Sequence, residues 1–322
     1  MPTLVSINLL VLSANICSSS WYPAHYGYAT NAVKNACKVP RSFYNYLRYH
    51  KVCPEYDEQL EKALKICDVA EQQLPQAHVA GLALPGEFNK SASAIFGGAQ
   101  TGIYAGDKSW AEDMKKEGIK IDAIGIRDEE ARINFTIGIA IMGSDEQYEL
   151  LEANSFMMLD QICAGLEVTD IQQSTEAVRA RYEEQSQTVE HKLGKLEPLG
   201  KLVCKTWYAE DCDEWDLPKD KFPTGKPQRA GAGRDYEFWV EDSVLQKCFV
   251  GMKMDATILH LQSGITILDE VRESMCSFFV WLPNELWMER KPKEVRWLKK
   301  GLPGDDEEED EIQTESQDFD DE

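Results

Sequence analysis

Phe43-Tyr44-Asn45-Tyr46-Leu47-Arg48-Tyr49-His50-Lys51-Val52-Cys53-Pro54-Glu55-Tyr56 packs four tyrosines, a phenylalanine and a cysteine into one short stretch. Side chains this costly to expose belong in a core or at an interface. Upstream, residues 31–38 read as a short helix, and Pro40 opens a second over 41–50, with aromatic side chains at 43, 46 and 49. Downstream, Pro54 suits the first turn of a third helix. Its apolar residues Leu60, Leu64, Cys67, Ala70 and Leu74 recur at the spacing of one helix face, and Pro75 is the expected stop. Leu84-Pro85-Gly86 then leads into a helix over 87–96, which Gly97-Gly98 ends.

Beyond a glycine-rich stretch, 119–126 and the β-branched run 133–142 read as strands. Gly143-Ser144-Asp145 is a turn and cap, followed by a helix over 146–163 and a second over 170–193. In the latter, residues 171, 175, 178, 182 and 189 form a heptad-like seam. It predicts a solvated amphipathic helix packed on the core, with a partner-binding coiled-coil arm as the alternative. Residues 194–200 are a break. Strands are expected over 202–208, 236–239, 252–261, 265–268 and 276–281, with a short helix over 241–248 and helical fragments over 284–288 and 293–300. Residues 209–235 form a long polar loop. Helices first, then mixed strands and helices, make the fold class α+β. The predicted organisation is a leader over 1–30, a helix-rich region over 31–193 containing a short β element, a mixed strand and helix region over 194–304, and a disordered acidic tail over 305–322.

The formal net charge of −22 is partly local. Residues 305–322 hold twelve acids and no base; the remainder carries 34 basic against 44 acidic side chains, a net of −10. Such a field does not draw in a polyanion, although a local basic patch still can. The nine cysteines are scattered without a C-x-x-C pair. They read as reduced thiols filling the core of an intracellular protein, with no metal site. The apolar run at 4–16 has no Lys or Arg before it and is too short to cross a bilayer, so the chain is expected to be neither secreted nor membrane-bound.

Signs of catalysis are sparse. Neither G-x-x-x-x-G-K-[ST] nor G-x-S-x-G occurs, and no cofactor is implied. His50 and Cys53 stand three apart, a spacing that would let base and thiol meet on a helical turn. A packed corner is the simpler reading, because Val52-Cys53-Pro54 breaks the helix. Asp211, Asp213, Glu214 and Asp216 surround Cys212, where solvated loop charge is the simpler account. Trp287, Arg290, Lys291, Arg296 and Trp297 interleave rings with cations, the pattern that stacks bases and pairs phosphates of single strands. A solvated helix is the alternative there.

The opening stretch resembles the F-Y-N-Y-x-x-x-H-x-V-C-P-E-Y block of the fungal Argonaute-binding subunit of the Argonaute siRNA chaperone complex. Similar blocks follow at Lys65-Ile66-Cys67-Asp68-Val69-Ala70-Glu71, Leu84-Pro85-Gly86-Glu87-Phe88-Asn89 and Ile95-Phe96-Gly97-Gly98. Further ones are Glu237-Phe238-Trp239-Val240-Glu241-Asp242, Cys248-Phe249-Val250-Gly251-Met252-Lys253-Met254, Cys276-Ser277-Phe278-Phe279 and Leu282-Pro283-Asn284-Glu285-Leu286. The resemblance implies a non-enzymatic regulator of small-RNA silencing in the nucleus, the cytoplasm or both. It also implies partnership with Argonaute and a second complex subunit, a weak or indirect RNA contact, and roles in siRNA duplex handling and heterochromatin assembly. Residues 1–42 and the acidic tail depart from the family pattern. The alternatives are an intracellular enzyme using the Cys53/His50 corner or the acidic loop 210–216, and a general scaffold. Tyr44, Tyr46, His50, Cys53, Tyr56, Phe238 and Trp239, with the five residues of 287–297 above, are the candidate interaction or core anchors.

Overall fold

The first helix runs through a proline. In the computed structural model, which describes residues 30–104, 125–189, 196–207 and 233–279, α1 (Thr30–Tyr49) is one helix with Pro40 inside it. Two helices were expected there. Its buried residues Val33, Cys37, Pro40 and Tyr44 fall on one stripe and pack on α2 (Asp57–Ala83), which a 3-10 turn (Pro54–Tyr56) introduces. α2 likewise passes through Pro75, the expected stop, with Leu74 and Ala77 buried on either side. An interior proline costs about 3 kcal/mol. Tertiary contacts offset it here: Ser274 Oγ donates to Ala77 O (2.8 Å), and Gln73 Oε1 accepts from both the N–H and the Oγ of Ser277 (3.0 and 2.7 Å).

α3 (Glu87–Ile95) lies where expected. The run 133–142 is not a strand: it belongs to α4 (Asp128–Met142). Three acids in the first turn complement the helix dipole. Buried Ala131, Phe135, Gly138 and Ile139 show the helical period that the β-branched composition masked. At Gly138 a Cβ would stand 2.3 Å from the Phe88 ring, so this glycine lets α3 and α4 approach closely. Of the other expected β element, 119–124 lies outside the described residues, and Gly125 and Ile126 are not in a strand. Ser144 forms a full capping box with Gln147 and starts α5 (Asp145–Glu152). That helix ends eleven residues before the expected 163. The chain continues as a strand, β1 (Met158–Gln172), and α6 begins only at Glu176 (Glu176–Val189). Alternating burial of Ala164, Leu166 and Val168 is the strand period. On α6, Val178 and Tyr182 pack inward, as expected of a solvated amphipathic helix.

β2 (Leu199–Thr206), β3 (Asp235–Glu241), β4 (Lys253–Leu261) and β5 (Thr266–Met275) join β1 in an antiparallel sheet of order β3-β2-β1-β4-β5. A short helix, α7 (Asp242–Leu245), follows β3. The expected strand over 276–281 is absent among its described residues, where Cys276–Phe279 closes as a turn instead. The sheet is curled. β3 and β5 stand at opposite ends of the strand order, yet Thr266 Oγ1 donates to Glu237 O (2.6 Å). The inside of the curl holds Leu166, Leu202, Phe238, Met254, Ile258 and Leu268. A second cluster lies between α3, α4, α6 and the strand ends, and a third joins α1 and α2 to Met275, Cys276 and Phe279. The chain divides into two units, Met1–Leu282 and Pro283–Glu322, and all described residues belong to the first.

Candidate functional site

α1 has two apolar faces. One is the buried stripe of Val33, Cys37, Pro40 and Tyr44. The other carries Val39, Phe43, Tyr46 and Tyr49, which are 72%, 51%, 56% and 84% exposed, and is continued by Val52 (58%) beyond the helix end. A helix needs one apolar face to pack; the second faces solvent. His50 is held between the rings of Tyr46 and Tyr49, with centroids 4.4 and 5.1 Å away. Arg48 turns back to Asp57, with Nε to Oδ1 at 2.8 Å, and this hydrogen bond lowers the Asp57 carboxyl below its usual range. Ser42, Asn45, Tyr46, Arg48, Tyr49 and Asp57 line a shallow hollow here.

The candidate anchors therefore separate. Tyr44 and Phe238 are core residues, and Trp239 packs against Phe88. Cys53 and Tyr56 are half-buried, Cys53 against the α1–α2 cluster. Tyr46 and His50 are on the surface. Trp287, Arg290, Lys291, Arg296, Trp297, the acidic loop 210–216 and the acidic tail lie outside the described residues. Val39, Phe43, Tyr49 and Val52 are missing from the anchors named from sequence. Their signal was present as a second apolar stripe at 39, 43 and 46 beside the one at 33, 37, 40 and 44.

Three further blocks, 84–89, 95–98 and 237–242, meet at the gap between β3 and β5. Asn89, fully buried on α3, donates Nδ2 to Pro85 O (2.9 Å) and Trp239 O (2.8 Å), while its Oδ1 accepts from Leu268 N (3.0 Å). One side chain thus bridges two strand edges. Glu241 Oε1 accepts from Phe88 N (2.6 Å) at the start of α3. Its carboxylate lies on Gly86, whose φ of 88° and lack of space both exclude a side chain. Burial pushes Glu241 up to about 7. At the other end of α3, Asp269 accepts from Ser93 Oγ and Ala99 N (2.9 Å), and Gly98 leaves room for it. Asp242 accepts from Ser174 N (2.8 Å) and Ser174 Oγ and pairs with Arg179, tying α7 to the start of α6.

This is a network that closes a fold. Burial raises the thiols of Cys248 and Cys276 to about 12 and that of Cys204 further, which keeps them protonated. Among the described residues the contacts of His50 are with the Tyr46 and Tyr49 rings and not with Cys53, and no group of His, Cys, Asp and Glu there is placed to hold a metal. No helix among them is long and apolar enough to cross a membrane. The arrangement defines an α+β interaction protein, with an aromatic helix face mounted on a clasped, curled sheet.

The chain belongs to the family of the Argonaute siRNA chaperone (ARC) complex subunit Arb1, whose model matches residues 17–292. Members are non-catalytic subunits of a complex that binds Argonaute in siRNA-mediated silencing. No curated protein and no solved structure matches the chain.

Proposed function

We propose that the outer face of α1 (Val39, Phe43, Tyr46 and Tyr49, with His50 and Val52) is where Argonaute docks. Through it the chain restrains handling of the siRNA duplex in the nucleus, in support of heterochromatin assembly. The observation that carries this reading is the second apolar stripe on a helix whose first stripe already satisfies the fold. Tyrosine is enriched among the residues that dominate binding, because it adds large contact area at small entropy cost. The protein contributes surface and order to the complex, and no bond is made or broken by its side chains.

The test is affinity purification of the tagged full chain from its own cells after nuclease treatment. Wild type is compared with Phe43→Ala/Tyr46→Ala/Tyr49→Ala. The three side chains are largely exposed, so circular dichroism and thermal midpoint should stay near wild type. Argonaute should be retained by wild type despite nuclease and lost from the variant, with affinity down about 30-fold or more, or about 2 kcal/mol. Equal recovery of Argonaute on the folded variant rejects this face. Recovery that vanishes with nuclease means RNA bridges the two proteins.

A further inference from the structure

β1 is longer than its neighbour. It pairs with β4 from Met158 to Glu167, but with β2 only from Leu166 to Gln172. The last link to the β2 side is Trp207 N to Gly165 O (2.8 Å), at a glycine where a Cβ would meet Trp207 O at 2.4 Å. Beyond it, among the described residues, no strand covers the outer edge of residues 159–164. Peptide groups alternate sides along a strand. Those of Cys163 and Gln161 therefore point outward, like the Gly165 carbonyl.

The flanking side chains favour an added strand. Met157, Met158 and Leu159 are 62%, 40% and 66% exposed, and Cys163 is exposed beside Thr257. Edge strands are ordinarily guarded by lysine or proline. Residues 157–171 contain neither, nor any arginine; their charges are Asp160, Glu167 and Asp170. The open stretch matches the usual strand length of about five residues.

We propose that this edge accepts, as a sixth antiparallel or parallel strand, an extended segment of another protein in which apolar and basic side chains alternate. Main-chain hydrogen bonds to Gln161 and Cys163 supply affinity, the exposed Leu159 takes an apolar side chain on one face, and Asp160, which is 56% exposed beside His260 on the other, selects a basic one. The chain's own sequence after Trp207 is the poorer occupant. Continued in the β2 register, it would set Glu210, Asp211, Asp213 and Glu214 along a stretch whose one charged side chain, Asp160, is already acidic. The site is independent of the α1 face and stands whether or not Argonaute docks there.

The full chain is titrated with a capped peptide of alternating lysine and valine. One control peptide carries glutamate for lysine. The other keeps the side chains but is N-methylated along its bonding edge. Hydrogen–deuterium exchange over 157–165 and maleimide capture of Cys163 are followed, with α1 as internal reference. The lysine peptide should slow both roughly tenfold and leave α1 unchanged, and neither control should act. Protection of residues 159–164 before any peptide is added overturns the proposal, because the chain then covers its own edge. Equal protection by the N-methylated peptide overturns it as charge attraction alone, and no protection at any concentration overturns it outright.

Discussion

Truncating Asn89 to alanine leaves the Leu268 N–H and the Trp239 carbonyl buried without their partner, and opens the gap between β3 and β5. Each unmet buried group costs about 1–3 kcal/mol, so Asn89→Ala should lose about 3 kcal/mol in urea unfolding. Asn89→Asp should do little better, because a carboxylate cannot donate to two carbonyls. A loss under 1 kcal/mol would mean the strands close without it. Glu241 gives a pH signature. Its carboxyl titrates near 7 in the fold, against about 4.5 unfolded, because burial disfavours the anion; Glu87, Glu197 and Tyr182 face it and add no cation. The native state therefore holds the proton more tightly than the unfolded one. Stability falls as pH rises from about 4.5 to about 7 and levels off above, by up to about 3 kcal/mol. Glu241→Gln should flatten that slope between pH 5 and 8, and an unchanged slope would assign it to other groups.

At the scale of elements, packing decides where local signals conflict. Pro75→Ala restores a helical donor in the middle of α2, and should raise stability by about 1 kcal/mol. Gly138→Val should cost about 2–3 kcal/mol by pushing α4 off the Phe88 ring; thermal unfolding reads both. The α+β class, α3, the Ser144 cap, strands β2 to β4 and the first residues of β5 were legible, because apolar period, glycine and capping residues agree there; β5 runs on to Met275, past the expected 268. α4 and β1 were misread for opposite reasons. In α4, β-branched residues spoke for a strand while Ala131, Phe135 and Ile139 kept a helical period. In β1, apolar positions 159, 162, 163 and 166 mimic a helix face, and only the pairing with β4, about a hundred residues later, settles it. The prolines misled because their penalty is local, whereas the packing that offsets it comes from distant residues: α2 beside Pro40, and Ser274 and Ser277 beside Pro75. The α1 face was half visible: the ring-rich stretch was clear, but which rings point outward depends on where α2 lies.

Across the whole molecule, the three apolar clusters are unequally anchored. The inside of the curl draws on every strand, whereas the α1–α2 cluster reaches the sheet through Met275, Cys276 and Phe279. Native-state hydrogen exchange should therefore find α1 opening at lower free energy than β4; equal protection would make the molecule one cooperative unit. An α1 that loosens by itself can present its outer rings without disturbing the curl. The Asn89 clasp also has a consequence in time. Its partners lie 150 and 179 residues further along the chain. A ribosome emits the chain from its amino end at about 5–20 residues per second, so α3 waits on the order of ten seconds for the strands that Asn89 will join. Throughout that interval Phe88, Phe135 and the future seam have no sheet to rest on. The newborn protein is thus a helical half exposing its apolar faces, and its survival depends on how well it is sheltered before the last strand arrives.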